Sequence, residues 1–406
     1  MPDPERLAAV RAALPALAAG IYLNTGSVGP LPVEVAAAMA DASARELAQG
    51  RAHMDDWLEF QERLAEARAA VAALLTTDPS SIALTHSTTD SINAIVLALG
   101  LGMGDHVVTT NAEHAGVLGP VFAARAIGVG ADVVDIGDGG DDERTLAAIE
   151  AAITPSTRLV MASHVLWTTG AVLPIARIAA LAHEHEAVLV VDGAQSAGAI
   201  RVDLEATGAD AYAIAAQKWL LGPEGMGALA VRPWLVERLT PALAGHFSFE
   251  QLAADGTAAF HPSARRFEWS GMHRPSVVGM ARAISWLSMF VGLEWIHARG
   301  QAMARGAADR LAAIPGVTVL TPTHQMATLV TFRIGDWPAA AALAELGSRA
   351  FVIARTIDSL DALRISVGFF TSDEELDRFA ETVALLAAHT PETVPARRTL
   401  TILGND

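Results

Sequence analysis

The sequence predicts an α/β protein whose larger part is built on a mainly parallel β-sheet and whose C-terminal part is a smaller α+β unit. Through the first two thirds of the chain, short β-branched runs alternate with Ala-rich stretches that have the apolar spacing of helices. Strands separated by helices of this length form right-handed crossover units, which build parallel sheets. After about Pro275 this alternation gives way to a long helical pattern followed by mixed strands and helices. The chain has 406 residues, of which 52% are hydrophobic, so it can bury a large core and divide into two or three domains.

The individual elements follow from these patterns in chain order. Candidate strands of the larger part occupy residues 106–110, 131–136, 158–165, 187–192, 210–215 and 226–231. Helical spacing of apolar residues is found at residues 143–153 and 174–187. The C-terminal part predicts one long helix over residues 276–293 and strands at residues 317–320, 327–334 and 362–367.

These elements place the domain boundaries. We expect a large domain over residues 21–270, and a small domain formed by residues 1–20 together with residues 271–390. The helix before Gly20 is expected to pack with the small domain. The last stretch, residues 391–406, has the composition of a loosely held C-terminal tail.

The composition excludes several classes of function. A formal net charge of −17 repels nucleic-acid backbones, and no basic stripe with interleaved aromatic residues offsets that charge. No run of eighteen apolar residues is present and the N-terminal segment lacks a cleavage-type signal, so we expect a cytoplasmic protein without a membrane span. The chain contains no cysteine, which excludes disulfides, thiolate ligands and a sulfur nucleophile. Its 13 histidines show no metal-ligand spacing, and we predict no metal site.

The cationic residues are almost all of one type. Of the 28 lysine and arginine residues, 27 are arginine and one is lysine, Lys218, in the segment AYAIAAQKWLLGPEG at residues 211–225. A bias toward arginine explains the missing lysines but not the one that is present. The arginine guanidinium stays protonated and forms no imine with a carbonyl, whereas a lysine amine can do so once it has lost its charge. Position 218 therefore indicates a chemical requirement for a neutral amine.

Two reactive side chains follow strand ends of the predicted sheet. Asp192 ends the run AVLVVD and opens the segment DGAQSAG, and Lys218 follows the next strand along the chain. Ligands of open α/β sheets bind beyond the carboxyl ends of the strands, so we expect both side chains to face one cavity. A desolvated lysine amine is nucleophilic, and a carboxylate beside a pyridine nitrogen keeps that nitrogen protonated, as an imine-forming cofactor requires. The alternative for Asp192 alone is a structural turn or a helix cap.

A phosphate site is the next requirement of such a cofactor. In the segment 82–99, a strand leads through Ser87, Thr88, Thr89 and Asp90 into a helical pattern. Backbone N–H groups at the start of a helix, with hydroxyl groups beside them, bind anions. The alternative is an ordinary helix N-cap, which uses the same residue types.

Two further side chains are candidates for contacts with the cofactor and its substrate. His114, in the segment TTNAEHAG after the next strand, is suited to stack on an aromatic ring; the alternative is a surface histidine. Arg364, on a predicted strand of the small domain, is suited to hold a substrate carboxylate through two hydrogen bonds; the alternative is a surface ion pair.

Taken together, these segments resemble the class V aminotransferase group of fold type I pyridoxal-phosphate enzymes. That group includes cysteine desulfurases, selenocysteine lyases, isopenicillin N epimerase and carbon–sulfur lyases. The resemblance covers nearly the whole chain and is most specific in the segments VDGAQ and QKWLLGPEG. Supporting segments are YLNTGSVGPLP, THSTTDSIN, NAEH, SHVLWTTGAVLPI and LRISVGFFTSDEELDRF. The resemblance implies a fold type I enzyme with a mainly parallel sheet of seven strands.

The resemblance also implies a role for each matching position. Lys218 would bond covalently to pyridoxal 5'-phosphate and serve as the catalytic amine, with His114 stacked on the cofactor ring as a second catalytic residue. Asp192 would hold the pyridine nitrogen and Gln195 the phenolic oxygen. The remaining expected cofactor contacts are those of Thr88, Thr89 and Gln217, and the expected substrate contacts are those of Arg364, Asn24 and Trp167.

Members of the group are usually homodimers with the active site at the subunit interface. The segment WSGMH at residues 269–273 matches the region that reaches into the other subunit, so Ser270 or Gly271 is expected to touch that subunit's phosphate. The expected partners are thus an amino-acid substrate and a second copy of the chain. Residues at the mouth of the pocket are expected to set specificity unless they serve packing: Trp167, His246, Phe247 and Arg274.

The chain departs from the desulfurase pattern at several positions. Desulfurases commonly carry a Ser and a His where this chain has Ala215 and Gln217, and an Asn where Trp167 stands. They also carry a catalytic cysteine in the loop that here reads ARTIDSLDALR. Because the chain has no cysteine, transfer of sulfur through an enzyme thiol is excluded.

We therefore expect a pyridoxal-phosphate lyase that cleaves the carbon–sulfur bond of cystine, a cysteine conjugate or a sulfoxide by β-elimination. An epimerase or an aminotransferase that uses the same lysine is the nearest alternative, because the sequence does not disclose the shape of the pocket. A non-catalytic binding protein on this fold is a third alternative, since a fold alone does not fix a function.

Overall fold

The computed structural model describes residues 3–396 of the chain. Its helices are α1 (Asp3–Ala12), α2 (Val33–Gln49), α3 (Met54–Leu75), α4 (Thr88–Ala98), α5 (Ala115–Arg125), α6 (Asp142–Ala152), α7 (Ile175–Glu184), α8 (Leu204–Thr207), α9 (Pro233–Arg238), α10 (Arg274–Ser285), α11 (Leu293–Ala312), α12 (Ala339–Ala350) and α13 (Asp373–Ala387). Its strands are β1 (Ile21–Tyr22), β2 (Ile82–Thr85), β3 (His106–Thr110), β4 (Gly130–Val134), β5 (Thr157–Ser163), β6 (Val188–Asp192), β7 (Ala211–Ala215), β8 (Gly227–Val231), β9 (Phe249–Leu252), β10 (Ala258–Phe260), β11 (Val317–Val319), β12 (Leu329–Ile334), β13 (Val352–Ile353), β14 (Arg355–Ile357) and β15 (Ala362–Ser366).

The larger part of the chain is built on a seven-stranded sheet in the order β2-β8-β7-β6-β5-β3-β4. The strands from β7 to β4 pair in parallel, and β8 is antiparallel to both β2 and β7. The central strands are continuous runs of buried apolar residues, which is typical of a parallel sheet covered on both faces. The expected α/β fold with a mainly parallel sheet is therefore confirmed, and each of its six predicted strands is found within two residues of its expected bounds.

Helices cover both faces of this sheet and enclose two apolar cores. Successive residues of a strand point to opposite faces, so Leu189 and Val191 of β6 belong to one core and Val190 belongs to the other. A buried ion pair braces the sheet edge: Arg68 of α3 donates two hydrogen bonds, at 2.7 and 2.9 Å, to the carboxylate of Glu268. The same carboxylate accepts the backbone N–H of Leu84 in β2 at 3.0 Å.

The C-terminal part is an antiparallel four-stranded sheet in the order β11-β12-β15-β14, against which α11, α12 and α13 pack. The N-terminal segment joins this part, because β1 pairs in parallel with β13 and Arg11 of α1 forms a 2.8 Å ion pair with Glu375 of α13. Val10 of α1 instead packs into the core of the larger part. The N-terminal helix thus contacts the smaller part of the molecule and also the larger part.

The predicted long helix over residues 276–293 is interrupted. Helix α10 ends at Ser285 and continues as a π-helical turn over Trp286–Val291, and α11 begins only after Gly292. Gly292 has a φ of 95°, a conformation that residues with a side chain rarely adopt. The expectation of one continuous helix was therefore wrong, because the apolar pattern runs on through the break.

The predicted C-terminal tail, residues 391–406, falls partly outside the described residues. Within the described part, Val394 packs against the core of the smaller unit, and Arg349 donates a 2.7 Å hydrogen bond to the carbonyl of Pro395. Apart from these two contacts, residues 391–396 are mostly exposed and residues 397–406 lie outside the described range, so the loose tail stays a prediction.

Residues 3–396 contain no single helix suited to cross a membrane and no cluster of metal ligands. Taken singly, the helices in this range are too short or too polar to cross a bilayer; α10 with its π-helical extension reaches the required length and composition only jointly with α11, across an 83° bend. In the same range, His, Asp and Glu side chains form no group of three suited to hold a metal ion.

Candidate active site

One cavity, of about 240 Å³, lies where the carboxyl ends of the central strands meet the four-stranded sheet. Loops after β2, β3, β5, β6 and β7 contribute to its wall, as open α/β sheets require of a ligand site. The smaller unit adds two arginines, and the loop after β1 adds small residues. The side chains that line the cavity include Ser87, Thr88, Thr89, His114, Trp167, Asp192, Gln195, Gln217, Lys218, Arg355 and Arg364.

Lys218 occupies the short connection between the antiparallel strands β7 and β8. This connection is closed by hydrogen bonds from Ala216 N to the carbonyl of Met226 at 3.0 Å and from Gly222 N to the carbonyl of Ala216 at 2.9 Å. Burial lowers the pKa of the Lys218 amine to about 8; the carboxylate of Asp192 opposes this shift, and the nearby Arg364 adds to it. At pH 7 about a tenth of the amine is therefore neutral, and this neutral form is the one that attacks a carbonyl.

Asp192 is the last residue of β6 and is almost fully buried. One carboxylate oxygen accepts the backbone N–H of Ala194 at 2.8 Å. The residue that follows must be glycine, since a Cβ at Gly193 would lie 2.1 Å from the ring of Tyr212. The tight DGAQ turn therefore holds the carboxylate at the cavity wall, where it can face a cationic or N–H group of a ligand.

Gln195 stands on the same turn and is held at both ends of its amide. Its Nε2 donates to the carbonyl of Gly26 at 2.8 Å, and its Oε1 accepts the indole N–H of Trp219 at 2.9 Å. A Cβ at Gly26 would lie 3.0 Å from Oε1 of Gln195, so a side chain there would displace the amide.

The start of α4 forms an anion-binding cradle. Ser87 caps the helix through its side chain, which accepts the N–H of Asp90 at 3.0 Å. The hydroxyl of Thr88 is buried without a hydrogen-bond partner among the described residues. A Cβ at Gly116 would lie 2.7 Å from the hydroxyl of Thr89, so the glycine keeps that space open. An unpaired hydroxyl, free helix N–H groups and an open space together suit a phosphate group.

His114 lies beside this cradle at the start of α5. Its Nδ1 accepts the N–H of Gly116 at 3.1 Å, which places the single proton of the neutral imidazole on Nε2. Burial lowers the pKa of His114, and the charge of Lys218 lowers it further. The ring therefore stays neutral near pH 7. It meets the indole of Trp167 edge to face, with ring centroids 5.3 Å apart.

Glu113, the neighbour of His114, is fully enclosed beneath the cavity. Its carboxyl group accepts hydrogen bonds from the hydroxyl of Thr110 at 2.8 Å and from the backbone and hydroxyl of Ser163 at 3.0 and 2.5 Å. Burial raises the pKa of Glu113 to about 7, against the effect of these hydrogen bonds. This residue could not be predicted from the sequence, because an acid before a loop histidine has no distinguishing pattern.

Two arginines form the end of the cavity that belongs to the smaller unit. Arg364 is fully buried; one nitrogen donates to the carbonyl of Trp167 at 2.7 Å, while its Nε and other terminal nitrogen have no partner among the described residues. Burial and the charge of Arg355 lower the pKa of Arg364 to about 9. Arg355 is directly opposite Arg364 in the β14–β15 pair, and its guanidinium lies 5.4 Å from the indole centroid of Trp167.

The arginine pair is electrostatically unfavourable on its own. Like charges directly opposite on neighbouring strands destabilise a sheet, and unpaired buried donors cost free energy. An anionic ligand would relieve both penalties. Arg364 was predicted from the sequence and Arg355 was not. The signal for Arg355 is its position facing Arg364 across a predicted hairpin.

Several expected residues do not line the cavity of this chain. Asn24 lies on the adjoining loop, where its side-chain oxygen accepts the hydroxyl of Ser27 at 2.8 Å. Ser270 and Gly271 lie apart from the cavity lining, and the carbonyl of Gly271 is 3.4 Å from Nε2 of His86. A contact of this segment with another subunit therefore stays a prediction.

Of the residues expected at the mouth of the pocket, one lines the cavity and the others do not. Trp167 lines the cavity, whereas His246 and Phe247 pack their rings around Trp57. Arg274 lies over the ring of Phe60 at 4.9 Å from its centroid. In this chain these three residues therefore serve the packing of α3 and α10, which was the alternative considered from the sequence.

A buried amine of lowered pKa, a carboxylate at a strand end and an anion-binding helix start in one cavity define a fold type I pyridoxal-phosphate enzyme. Such a site fits the cofactor because the cofactor supplies a partner for each polar group. Its aldehyde matches the amine, its pyridine nitrogen matches the carboxylate, and its phosphate matches the start of α4. The comparisons agree on this class, and the cofactor is pyridoxal 5'-phosphate.

The chain belongs to the class V aminotransferase family, whose sequence model matches residues 21–379. It is 27% identical over 395 residues to a probable cysteine desulfurase of Methanothermobacter thermautotrophicus, covering 93% of this chain and 97% of that protein. It is 31% identical over 394 residues to the isopenicillin N epimerase of Streptomyces clavuligerus, covering 90% and 94%. Among solved structures, the cystine C–S lyase C-DES in complex with its product cysteine persulfide has a TM-score of 0.87 and 26% identity, with 91% of this chain and 99% of that chain covered.

Proposed function

We propose that this enzyme cleaves the carbon–sulfur bond of a sulfur-containing amino acid, with cystine as the best-suited substrate. In the proposed reaction, cystine and water give pyruvate, ammonium and the persulfide of cysteine. The α-proton leaves to a base, the Cβ–S bond breaks with its electron pair passing to sulfur, and the released three-carbon enamine is hydrolysed. No enzyme thiol takes part, which is compatible with a chain that contains no cysteine.

The cofactor contacts are proposed from the positions of the side chains around the cavity. Asp192 would hold the pyridine nitrogen in its protonated form, Gln195 would donate to the phenolic oxygen, and neutral His114 would stack on the ring. Thr88, Thr89 and Gln217 would bind the phosphate at the start of α4. When bound, the cofactor supplies an electron sink that stabilises negative charge at the substrate α-carbon.

Lys218 would have two tasks. Its neutral amine would first bond to the cofactor aldehyde, and after the substrate amine has displaced it, the free amine would take the α-proton. A pKa of about 8 suits both tasks, because the amine is then easily deprotonated near pH 7 and still basic enough to accept a proton. An arginine could perform neither task, which accounts for the single lysine at this position.

The observation that carries the substrate proposal is the pair of arginines next to this amine. Arg364 has free donors for the α-carboxylate. Arg355 lies opposite it in the β14–β15 pair, and its guanidinium donates to neutral oxygens, the carbonyl of Thr356 at 3.2 Å and the hydroxyl of Ser27 at 3.5 Å. A substrate with carboxylates at both ends, as cystine has, would occupy both guanidinium groups. The similarity to a cystine C–S lyase over nearly the whole chain also favours this substrate.

The proposal is tested by measuring pyruvate release from L-cystine, from S-methyl-L-cysteine and from L-cysteine. We expect pyruvate from cystine with the wild-type enzyme and none with Lys218→Ala. Because S-methylcysteine has a single carboxylate, Arg355→Gln should raise the KM for cystine about 10-fold or more and change that for S-methylcysteine little. Arg333→Gln, an exposed arginine on the same sheet that donates only to the carbonyl of Leu360, is the matched control.

The absence of pyruvate from every sulfur amino acid tested would reject the lyase proposal. An equal effect of Arg355→Gln on both substrates would retain the lyase but remove the argument for a dicarboxylate substrate.

Epimerisation is the second candidate, because the chain is 31% identical over nearly its full length to an isopenicillin N epimerase. An epimerase would return a proton to the α-carbon from the opposite face and would leave the carbon–sulfur bond intact. Incubation in D₂O separates the two functions: an epimerase incorporates deuterium at the α-carbon of recovered, racemised substrate, whereas a lyase yields labelled pyruvate. Formation of a keto acid that retains the side chain would instead indicate transamination.

We further propose that the enzyme is a homodimer, in which Ser270 and Gly271 of one subunit approach the phosphate of the other. Support comes from large apolar side chains exposed along α2 and at the start of α3, including Leu47 at 89% and Met54 at 69% exposure. An apolar surface of this kind marks an interaction site. Sedimentation equilibrium at several concentrations measures the mass; a monomer at micromolar concentration would reject the dimer.

A further inference from the structure

The amide of Gln195 is fixed between a group that can only donate and a group that can only accept. The indole N–H of Trp219 donates to Oε1 at 2.9 Å, and the carbonyl of Gly26 accepts from Nε2 at 2.8 Å. An indole nitrogen never accepts and a carbonyl never donates, so both contacts select the same orientation of the amide. One N–H of Nε2 is used by Gly26, and the second is left for a ligand in the cavity that Gln195 lines.

Trp219 is held firmly enough to impose this orientation. The indole is almost fully buried and packs in an apolar cluster with Val165, Ala199, Ala327 and Leu329. Its backbone is in close contact with the turn that carries Gln195, because a Cβ at Gly198 would lie 2.8 Å from the carbonyl of Trp219. The glycine has a φ of 89°, so this close approach depends on a conformation that glycine adopts freely.

We propose that Trp219 is a positioning residue that holds the amide of Gln195 with its N–H groups, rather than its oxygen, toward the phenolic oxygen of the cofactor. This inference rests on the proposed contact between Gln195 and the cofactor. In the reversed orientation, the amide oxygen would meet another acceptor and repel it, and Trp219 and Gly26 would both lose their hydrogen bonds. Trp219 directly follows Lys218, so the positioning residue and the reactive amine belong to the same segment of the chain.

The proposal predicts a change in the state of the bound cofactor when the indole N–H is removed. A donor to the phenolic oxygen stabilises its negative charge and so weakens its hold on the proton of the neighbouring nitrogen that joins Lys218 to the cofactor. Trp219→Phe should therefore raise the pH midpoint of the cofactor's long-wavelength absorption band by about one pH unit. The apo-protein should bind pyridoxal phosphate about 10-fold more weakly, as expected for one lost hydrogen bond that leaves a buried oxygen unpaired.

The comparison variants separate positioning from packing. Gln195→Ala should shift the pH midpoint in the same direction, and the double variant should shift it no further, because both changes remove the same donor. Trp337→Phe is the matched control: it is also a buried indole that donates, to the carbonyls of Leu386 and His389, but it lies outside the cavity. It should lower the melting temperature and leave the midpoint unchanged.

A Trp219→Phe enzyme with a lowered melting temperature but an unchanged midpoint and cofactor affinity would overturn the proposal. If this variant does not fold, benzothienylalanine at position 219 gives the same readout, since it replaces the indole N–H by sulfur without changing the ring size. Neither measurement uses amino-acid turnover. Failure of the lyase assay would therefore leave this inference standing, and an unchanged midpoint would leave the lyase proposal standing.

Discussion

The buried amine of Lys218 should make the apo-protein less stable than it could be. Burial brings the pKa of this group from the ordinary 10.5 to about 8. Each pKa unit corresponds to about 1.4 kcal/mol, so the charged amine costs at most about 3 kcal/mol at pH 7. Lys218→Met keeps an unbranched side chain, one atom shorter, and removes the charge, so it should recover most of this free energy. For a chain of 406 residues this corresponds to a rise in melting temperature of about 4 °C.

The sign of the pH dependence makes this prediction specific. The folded pKa of Lys218 lies below the unfolded pKa, so between about pH 8 and pH 10.5 the unfolded chain binds more protons than the folded one. The destabilisation of the folded protein by the charged lysine is therefore greatest below pH 8 and disappears as the pH rises to 10.5. The advantage of Lys218→Met over the wild type should shrink across the same interval.

Thermal unfolding of both apo-proteins at pH 7, 8, 9 and 10 measures this difference. Lys218→Arg is the matched control, because it keeps a charge that cannot be lost in this range and should give no gain in stability at any of these pH values. The reasoning is refuted if Lys218→Met melts at or below the wild-type temperature at pH 7. It is equally refuted if the advantage of the variant is the same at pH 7 and pH 10.

Three further predictions concern other buried charges. Arg364→Met should raise the KM for the amino-acid substrate about 10- to 100-fold while the cofactor absorption band persists, because charge-assisted donors are lost; an unchanged KM would remove Arg364 from the substrate site. Burial raises the pKa of Glu113 to about 7, so between pH 5 and pH 7 the folded protein binds the proton of this carboxyl group more tightly than the unfolded chain. The free energy of unfolding of the wild type should therefore fall from pH 5 to pH 7. In urea unfolding, Glu113→Gln should show a weaker dependence of stability on pH. Arg68→Met should cost about 3–5 kcal/mol in denaturant unfolding because Glu268 loses its buried partner, whereas Arg63→Met, on the surface of the same helix, should cost less than about 1 kcal/mol.

The parts of the fold that the sequence predicted are those that depend on local patterns. The Val-rich runs of β3, β5 and β6 could be located because both of their faces are buried. The antiparallel direction of β8 could not be predicted, since the connection over residues 216–226 is compatible with several arrangements. The break at Gly292 was hidden by an apolar pattern that continues on both sides of it.

The same distinction applies to the site residues: those marked by a local pattern could be predicted, and those that depend on partners distant in the sequence could not. Lys218 and Asp192 could be proposed because a general rule places ligand groups at strand ends, and the structure brings both to one cavity. Arg355 and Trp219 were not proposed, because their importance depends on partners that fold next to them: Arg364 across a strand pair and Gln195 on a separate turn. Among 27 arginines and 8 tryptophans, spacing alone does not distinguish these two.

The closed connection between β7 and β8 has a consequence for how the enzyme could change shape. Its two ends are joined by sheet pairing, and Gly29 N donates a 2.7 Å hydrogen bond to the carbonyl of Gln217, the residue next to Lys218. Because the backbone is held on both sides of this point, Lys218, the proposed anchor of the cofactor, would remain stationary during turnover. Any opening that admits substrate or releases product would have to come from the opposite rim of the cavity, where the β14 hairpin carries Arg355.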